Sequence, residues 1–175
     1  MTTLPTYPGF RPAALGCLVL LLAAQGSCHG HKSSSDDSAQ ELLLQAESAM
    51  ARGDLPAALE AYRSAAKKDP DPADTWNRLG LALEYRFYAT GDDAFRDEAL
   101  AAYRKATKRD HDCRACMVNE ANLLWVTGDK RNAAKLYERV LDKAPNHPDA
   151  QAMKRRIRMA ASQQTDVSKK KGATQ

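Results

Sequence analysis

The chain repeats itself from residue 39 onward, and this repetition limits the possible folds more than any other feature of the sequence. Three alanines are each followed four residues later by a tyrosine, and each tyrosine is followed three residues later by Ala or Val. The three sets are Ala58, Tyr62, Ala65; Ala99, Tyr103, Ala106; and Ala133, Tyr137, Val140, at steps of 41 and then 34 residues. Spacings of three and four place side chains on one helix face, and periods of about 20 to 50 residues are typical of stacked helical units. The sequence therefore predicts an array of helices.

The middle repeat carries Trp76, Leu79 and Gly80, and Ala46 and Ala121 occupy the position of Gly80 in the flanking repeats. This pattern resembles the tetratricopeptide repeat, a helical hairpin of about 34 residues. The resemblance implies an all-α fold, a right-handed α-solenoid of three hairpins with a C-terminal capping helix. The domain would span residues 39–164, with repeats at 39–72, 73–113 and 114–147 and the capping helix at 148–162.

The middle repeat is seven residues longer than the third repeat. Gly-Asp pairs mark the turn inside each hairpin, and counting from them assigns four extra residues to the first helix and three to the second. Because one helical turn takes about 3.6 residues, each helix gains about one turn. We therefore expect a projecting hairpin whose aromatic residues either contact a partner or pack the added turns together. They are Tyr85, Phe87, Tyr88 and Phe95.

The first 27 residues have the composition of a secretory signal peptide. Arg11 precedes an apolar or small run of twelve residues from Ala13 to Ala24. A membrane-spanning helix needs about 20 such residues, so this run is too short to remain as one.

Cys28 follows Gly26 and Ser27, which resembles the lipobox of bacterial lipoproteins, although Gln25 stands where that motif usually has Leu. The resemblance implies that Cys28 carries lipid and becomes the first mature residue. His29 is not the Asp that retains enteric lipoproteins in the inner membrane, which favours the periplasmic face of the outer membrane. Residues 28–38 would then form a flexible polar tether. The alternative is release as a soluble secreted protein.

Basic residues are concentrated near the C-terminus, in Lys154, Arg155, Arg156 and Arg158. The first interpretation of this run is a solvated outer face of the capping helix, and the second is contact with anionic lipid or an acidic partner. Residues 165–175 form a basic tail of low apolar content, for which we expect disorder. The net charge of +4 is small and both signs are interspersed along the repeats, so nucleic acid is not expected as a partner.

Cys113 and Cys116 lie at the junction of the second and third repeats, where His111 replaces the Pro found at residues 70 and 145. In an oxidising compartment such a pair is expected to form a disulfide that fastens this turn. A redox motif and a metal site completed by His111 are the alternatives. His29 and His31 could bind a metal weakly or belong to a solvated tether. No catalytic motif, cofactor or metal is otherwise predicted, and the chain is not expected to be an enzyme.

The resemblance implies a concave groove lined by the first helix of each hairpin, which binds a peptide or an amphipathic segment of another protein. Members of this family that bind the acidic C-terminal tail of a chaperone need Lys at the fifth position of the repeat. This chain has Leu43, Asn77 and Val118 at that position, so binding of such a tail is not expected. Trp125 is the expected anchor, and packing between hairpins is its alternative role. The groove residues would be Leu43, Glu47, Asn77, Arg78, Leu81, Glu84, Val118, Asn119, Asn122, Trp125 and Met153.

These features predict an adaptor: a lipoprotein at the periplasmic face of the outer membrane that helps to assemble an envelope complex of the pilus, secretion or motility type. An accessory periplasmic protein that handles redox chemistry or metal through Cys113 and Cys116 is the second hypothesis. A structural spacer of the envelope, whose groove would tolerate substitution, is the third.

Overall fold

A computed structural model describes the backbone of residues 34–172 and the side chains of residues 38–163. The predicted signal peptide, Cys28, His29 and His31 lie outside this part of the chain. The described residues form seven α-helices and no strand. No helix among them is long and apolar enough to cross a membrane. The helices are α1 (Ser34–Ala51), α2 (Leu55–Lys68), α3 (Ala73–Thr90), α4 (Asp93–Arg109), α5 (Arg114–Val126), α6 (Lys130–Lys143) and α7 (Ala150–Gly172).

A Gly-Asp pair forms the turn of each hairpin, as predicted. Gly53, Gly91 and Gly128 have φ values of +75°, +70° and +99°, a region that residues with a Cβ adopt only at a cost. The following Asp accepts a hydrogen bond from a backbone N–H in the first turn of the second helix. Such a cap contributes about 1 kcal/mol, so each pair ends one helix and begins the next.

The array consists of the hairpins α1–α2, α3–α4 and α5–α6, followed by α7, which confirms the predicted architecture. Each helix contacts the next one along the chain, and α3 also contacts α5. The repeated alanines Ala58, Ala99 and Ala133 are completely buried. One core cluster joins the first two hairpins and includes Leu123 of α5. A second cluster joins the third hairpin to α7, and Leu100 packs against both clusters.

The middle hairpin is the longest, as predicted: α3 and α4 have 18 and 17 residues, whereas α5 and α6 have 13 and 14. The four aromatic residues predicted near its tip divide into two roles. Phe87 and Phe95 pack against the first core cluster, whereas Tyr85 and Tyr88 are 50% and 39% exposed. The added turns therefore bury one aromatic pair and present the other to solvent.

Two predicted boundaries need correction. Helix α1 begins at Ser34, inside the predicted tether of residues 28–38, because Ser and Asp, the residues found here, favour the start of a helix. Helix α7 continues to Gly172, so the predicted end of the capping helix at 162 and the predicted disorder of residues 165–172 are wrong. The stretch from 163 to 171 contains neither Gly nor Pro, and its Gln and Lys residues are good helix formers.

Candidate binding groove

The exposed apolar side chains have a one-sided distribution. Every large hydrophobic residue that is exposed among the described side chains lies on α1, α3, α5 or α7, and none lies on α2, α4 or α6. Three of them, at spacings of four and three, follow one side of α3. The apolar surface is therefore concentrated on the helices predicted to line the groove and on the capping helix. These residues are Leu44, Leu81, Tyr85, Tyr88, Val126 and Met159.

Polar side chains connect neighbouring groove helices. Arg78 on α3 forms ion pairs with Glu47 on α1 and with Asp74 on its own helix, the latter at 2.6 Å. Asn119 on α5 donates from Nδ2 to Oδ1 of Asn77 on α3 at 2.9 Å. The structure thus brings together four of the predicted groove residues, in pairs that bridge α1 to α3 and α3 to α5.

A third polar group joins α5 and α6 to the capping helix. Arg156 donates from Nη1 to Oδ1 of Asn122 at 2.7 Å and to the hydroxyl of Tyr137. The Tyr137 hydroxyl in turn donates to Asn122 Oδ1 at 2.8 Å. The prediction of a wholly solvated outer face for the basic run of α7 is therefore wrong at Arg156, which lies three residues beyond the buried Met153 and on the same helix face.

Trp125 packs against the second core cluster and retains partial exposure. The Nζ of Lys130 lies 5.5 Å from its ring centroid, and the Cζ of Arg156 lies 5.6 Å from it. A cation within about 6 Å of an aromatic centroid is attracted to the ring. Trp125 therefore contributes to packing and carries two cations, while its role as an anchor for a partner stays a prediction.

Three predicted groove residues are buried, and one of them, Asn77, is 8% exposed and accepts the hydrogen bond from Asn119. Met153 is only 2% exposed and belongs to the second core cluster with Met117 and Leu124, because the capping helix must bury the face that covers the third hairpin. Glu84 is buried, and its Oε2 accepts a hydrogen bond from the Tyr103 hydroxyl at 2.6 Å. Burying a carboxylate requires such a donor, so Glu84 belongs to the interior of the middle hairpin.

Two other predicted groove residues, Leu43 and Val118, are half-buried against the first and second core clusters respectively. The exposed apolar part of the groove instead comes largely from residues that the prediction did not name for the groove, such as Val126 and Met159. A helical-spacing search along α3 from Leu81 would have found Tyr85 and Tyr88. No comparable signal distinguishes Met159 from the buried methionines.

Two groups that lie close together near the Glu47 carboxylate, Tyr62 and Arg78, keep one charge state over the ordinary pH range. Burial raises the pKa of the Tyr62 hydroxyl, and the nearby Glu47 carboxylate raises it further. The hydrogen bond that Arg78 donates to the Asp74 carboxylate raises the pKa of Arg78. Tyr62 therefore stays neutral and Arg78 stays cationic.

Cys113 and Cys116 are joined by a disulfide, with their Cα atoms 5.3 Å apart. Cys113 caps α5, since its Sγ accepts a hydrogen bond from the Cys116 backbone N–H at 3.2 Å. Cys116 is completely buried and His111 is exposed. Within the part of the chain that the structure describes, no group of three or more His, Cys, Asp or Glu residues could hold a metal ion.

Family models described as TPR repeat and tetratricopeptide repeat match residues 48–84 and residues 91–148 and 118–166 respectively. No curated protein matches the sequence.

Solved structures with the same fold include the TPR2B domain of yeast Sti1 in an Hsp70 complex, at 19% identity and a TM-score of 0.60, covering 73% of this chain and 98% of that one. The first repeat domain of Spaghetti (RPAP3) bound to an HSP90 peptide has 19% identity and a TM-score of 0.63, covering 73% and 95%. The Yersinia enterocolitica type III secretion chaperone SycD in complex with a YopD peptide has 14% identity and a TM-score of 0.61, also covering 73% and 95%. This chain belongs to the tetratricopeptide repeat family.

Proposed function

We propose that this protein is a non-catalytic adaptor that binds a segment of another protein in the groove formed by α1, α3, α5 and α7. The observation that carries this proposal is the confinement of exposed large apolar side chains to those four helices. Hydrophobic surface of this kind is stabilised when a partner covers it, since burial contributes about 25 cal/mol per Å². A protein of this family that only spaced other components would gain nothing from such a distribution.

The segment that fits this groove is amphipathic. Leu81, Tyr85 and Tyr88 offer an apolar line along α3. The half-buried Arg78 precedes Leu81 by one turn and pairs with the exposed Glu47 of α1. Apolar side chains of the partner would contact the line while its polar groups meet the paired charges. Two of the similar structures, those of Spaghetti and SycD, hold peptides, which supports a peptide-binding role for the same fold here.

We also propose that the adaptor is held at the periplasmic face of the outer membrane by lipid on Cys28, and that it helps to assemble a pilus, secretion or motility complex. The support is the lipobox-like run that ends at Cys28. Acyl chains contribute about 0.8 kcal/mol per buried methylene, so two or three chains on one residue anchor a protein firmly.

A photo-crosslinking amino acid at residue 85 tests the groove in the native cell envelope. We expect a specific protein adduct, identified by mass spectrometry, from position 85 and none from position 60, because Glu60 is exposed on α2, away from the groove helices. Leu81→Glu should abolish the adduct at position 85 without lowering the melting temperature. Equal adducts from both positions, or none from either, would count against the groove.

The anchor needs a separate experiment. Metabolic labelling with radioactive palmitate should label the wild-type protein, and Cys28→Ala should lose the label and move from the membrane fraction to the soluble fraction. A membrane-bound, unlabelled wild-type protein would contradict the anchor and leave the groove unaffected.

A further inference from the structure

The guanidinium group of Arg156 is only partly used within the protein. Both of its described hydrogen bonds, to Asn122 Oδ1 and to the Tyr137 hydroxyl, leave from Nη1. Arginine has five N–H donors in a planar fork, and those on Nε and Nη2 donate to no side chain in the part of the chain that the structure describes. The Nε and Nη2 hydrogens on one edge of the group point the same way, which is the geometry that a carboxylate accepts with both oxygens.

The charge of Arg156 is also unbalanced. No carboxylate among the described side chains lies within 4.0 Å of it. Arg78, which is half-buried on the equivalent groove helix, has both Glu47 and Asp74. Arg156 instead has a neutral amide, a hydroxyl and the Trp125 ring, and Lys130 brings a second cation to that same ring. A half-buried cation without a counterion attracts an anion into its site.

We propose that Arg156 is the centre of a carboxylate-binding site at the α5–α7 end of the groove, and that the partner segment supplies an Asp or Glu side chain to it. This inference rests on the proposed function. The Nε and Nη2 edge binds the two carboxylate oxygens, and Lys130, whose Nζ lies 5.5 Å from the centroid of the Trp125 ring, adds attraction. This site differs from the one that binds chaperone tails through Lys at the fifth position of the repeat, since this chain has no Lys at that position.

Two exposed apolar residues that are close in sequence to Trp125 and Arg156 indicate what surrounds the acidic residue. Val126 follows Trp125 directly, and Met159 lies one helical turn after Arg156; they are 58% and 51% exposed. A partner whose acidic residue is followed or preceded by apolar residues would place the carboxylate on Arg156 and cover Val126 and Met159. An acidic side chain inside an amphipathic segment meets this requirement, and we therefore assign the carboxylate to a side chain and not to a chain end.

Peptide arrays on the full chain test the site without knowledge of the natural partner. Amphipathic twelve-residue peptides with amidated C-termini would carry Glu, Gln or Lys at each polar position in turn, and fluorescence anisotropy would give the Kd of the strongest binders. We expect a Glu peptide to bind about tenfold more tightly than its Gln counterpart, the factor that one charge-assisted hydrogen-bonded pair provides. Arg156→Gln should remove this preference, and Arg156→Lys should remove most of it because Lys lacks the fork.

Arg155→Gln is the matched control, since it removes the same charge from the adjacent, exposed position. It should keep the tenfold preference. Because Arg156 also bonds Asn122 and Tyr137, the Arg156 variants must bind the Gln peptides with unchanged Kd, which shows that the groove is intact.

Three results would overturn the inference while leaving the groove in place: equal Kd values for Glu and Gln peptides, an equal loss in Arg155→Gln and Arg156→Gln, or a preference seen only for peptides with a free C-terminal carboxylate. The second result would indicate general attraction to the basic helix. Failure of every peptide to bind would overturn both this inference and the proposed function.

Discussion

The second and third hairpins bury a tyrosine at the same register and give its hydroxyl different partners. Tyr103 donates to Glu84 at 2.6 Å inside the second hairpin, where both residues are buried. Tyr137 bonds Asn122 at 2.8 Å and accepts from Arg156, at the groove. The tyrosine at this position therefore bonds a buried carboxylate inside the second hairpin. In the third hairpin it bonds Asn122 and Arg156, which lie at the proposed groove.

The small residue at the helix crossing differs in the same sense. The second hairpin has Gly80 where the third has Ala121, and the Tyr103 ring occupies the space that a Cβ at residue 80 would need. The second hairpin therefore combines a close helix crossing at Gly80 with a polar pair inside the hairpin. The third hairpin has Ala121 at its helix crossing. Its tyrosine bonds Arg156, whose Nε and Nη2 donors bond no side chain in the part of the chain that the structure describes.

Gly80→Ala should break this comparison with the largest effect. A Cβ at residue 80 would lie 2.6 Å from Cε1 and 2.7 Å from Cδ1 of Tyr103, and this ring is completely buried. The ring must move against its close-packed surroundings, so we expect a loss of about 3 kcal/mol in the free energy of unfolding, measured by urea denaturation. The control, Ala121→Gly, should lose about 2 kcal/mol, from helix propensity and from the methyl group that Ala121 buries in the second core cluster. Equal losses would show that the second hairpin is no more tightly packed than the third.

The entrances to the two hairpins differ in how they are fixed. Pro72, with φ at −65°, precedes α3, whereas the disulfide between Cys113 and Cys116 stands at the start of α5. Purified mature protein should therefore show no free thiol at these positions in a thiol titration without reductant. The double variant Cys113→Ser, Cys116→Ser should unfold with about 2 kcal/mol less free energy, and reductant should lower the wild type equally. Two free thiols in the untreated protein would contradict the disulfide.

Removing each tyrosine hydroxyl in turn compares the stability that the Tyr103–Glu84 bond contributes with the stability that the Tyr137–Asn122 bond contributes. Tyr103→Phe removes a buried donor from the Glu84 carboxylate, and we expect a loss of about 1.5 kcal/mol in the free energy of unfolding. Tyr137→Phe should lose about 0.5 kcal/mol, because Asn122 Oδ1 still accepts from Arg156. Thermal and urea unfolding of both variants measure the difference. A larger loss for Tyr137→Phe would show that the third hairpin depends more on its tyrosine hydroxyl than the second hairpin does.

The repeat made the architecture predictable, because three sets of small residues and tyrosines in register specify close helix crossings, and Gly-Asp pairs specify the turns. The groove was harder to predict residue by residue. Repeat positions place a side chain on a face, yet Glu84 and Met153 turn into the interior because of a hydroxyl on α4 and the face covered by α7. Arg156 appeared to be one of several surface cations, and only the position of Asn122 and Tyr137 across the helix interface distinguishes it from Arg155.

A pH titration of stability should reveal the smallest difference between the hairpins. The second hairpin holds Glu84 with its own tyrosine, whereas Glu120 of the third is buried against Arg104 of the second at 3.1 Å. Burial raises the pKa of Glu120 above its ordinary value of 4.5, and Arg104 opposes this only in part. The folded protein therefore binds a proton at pH values where the unfolded chain has lost it, so the stability from this residue is greatest at low pH. It decreases as the pH rises from about 4.5 through the raised pKa.

Glu120→Gln should flatten this decrease in urea denaturation across that range, and Glu138→Gln, at an exposed position on α6, should leave it unchanged. An identical pH profile for Glu120→Gln and the wild type would show that Arg104 compensates the burial of Glu120 completely. The Arg104–Glu120 contact between the hairpins would then satisfy its buried carboxylate as fully as Tyr103 satisfies Glu84 within the second hairpin.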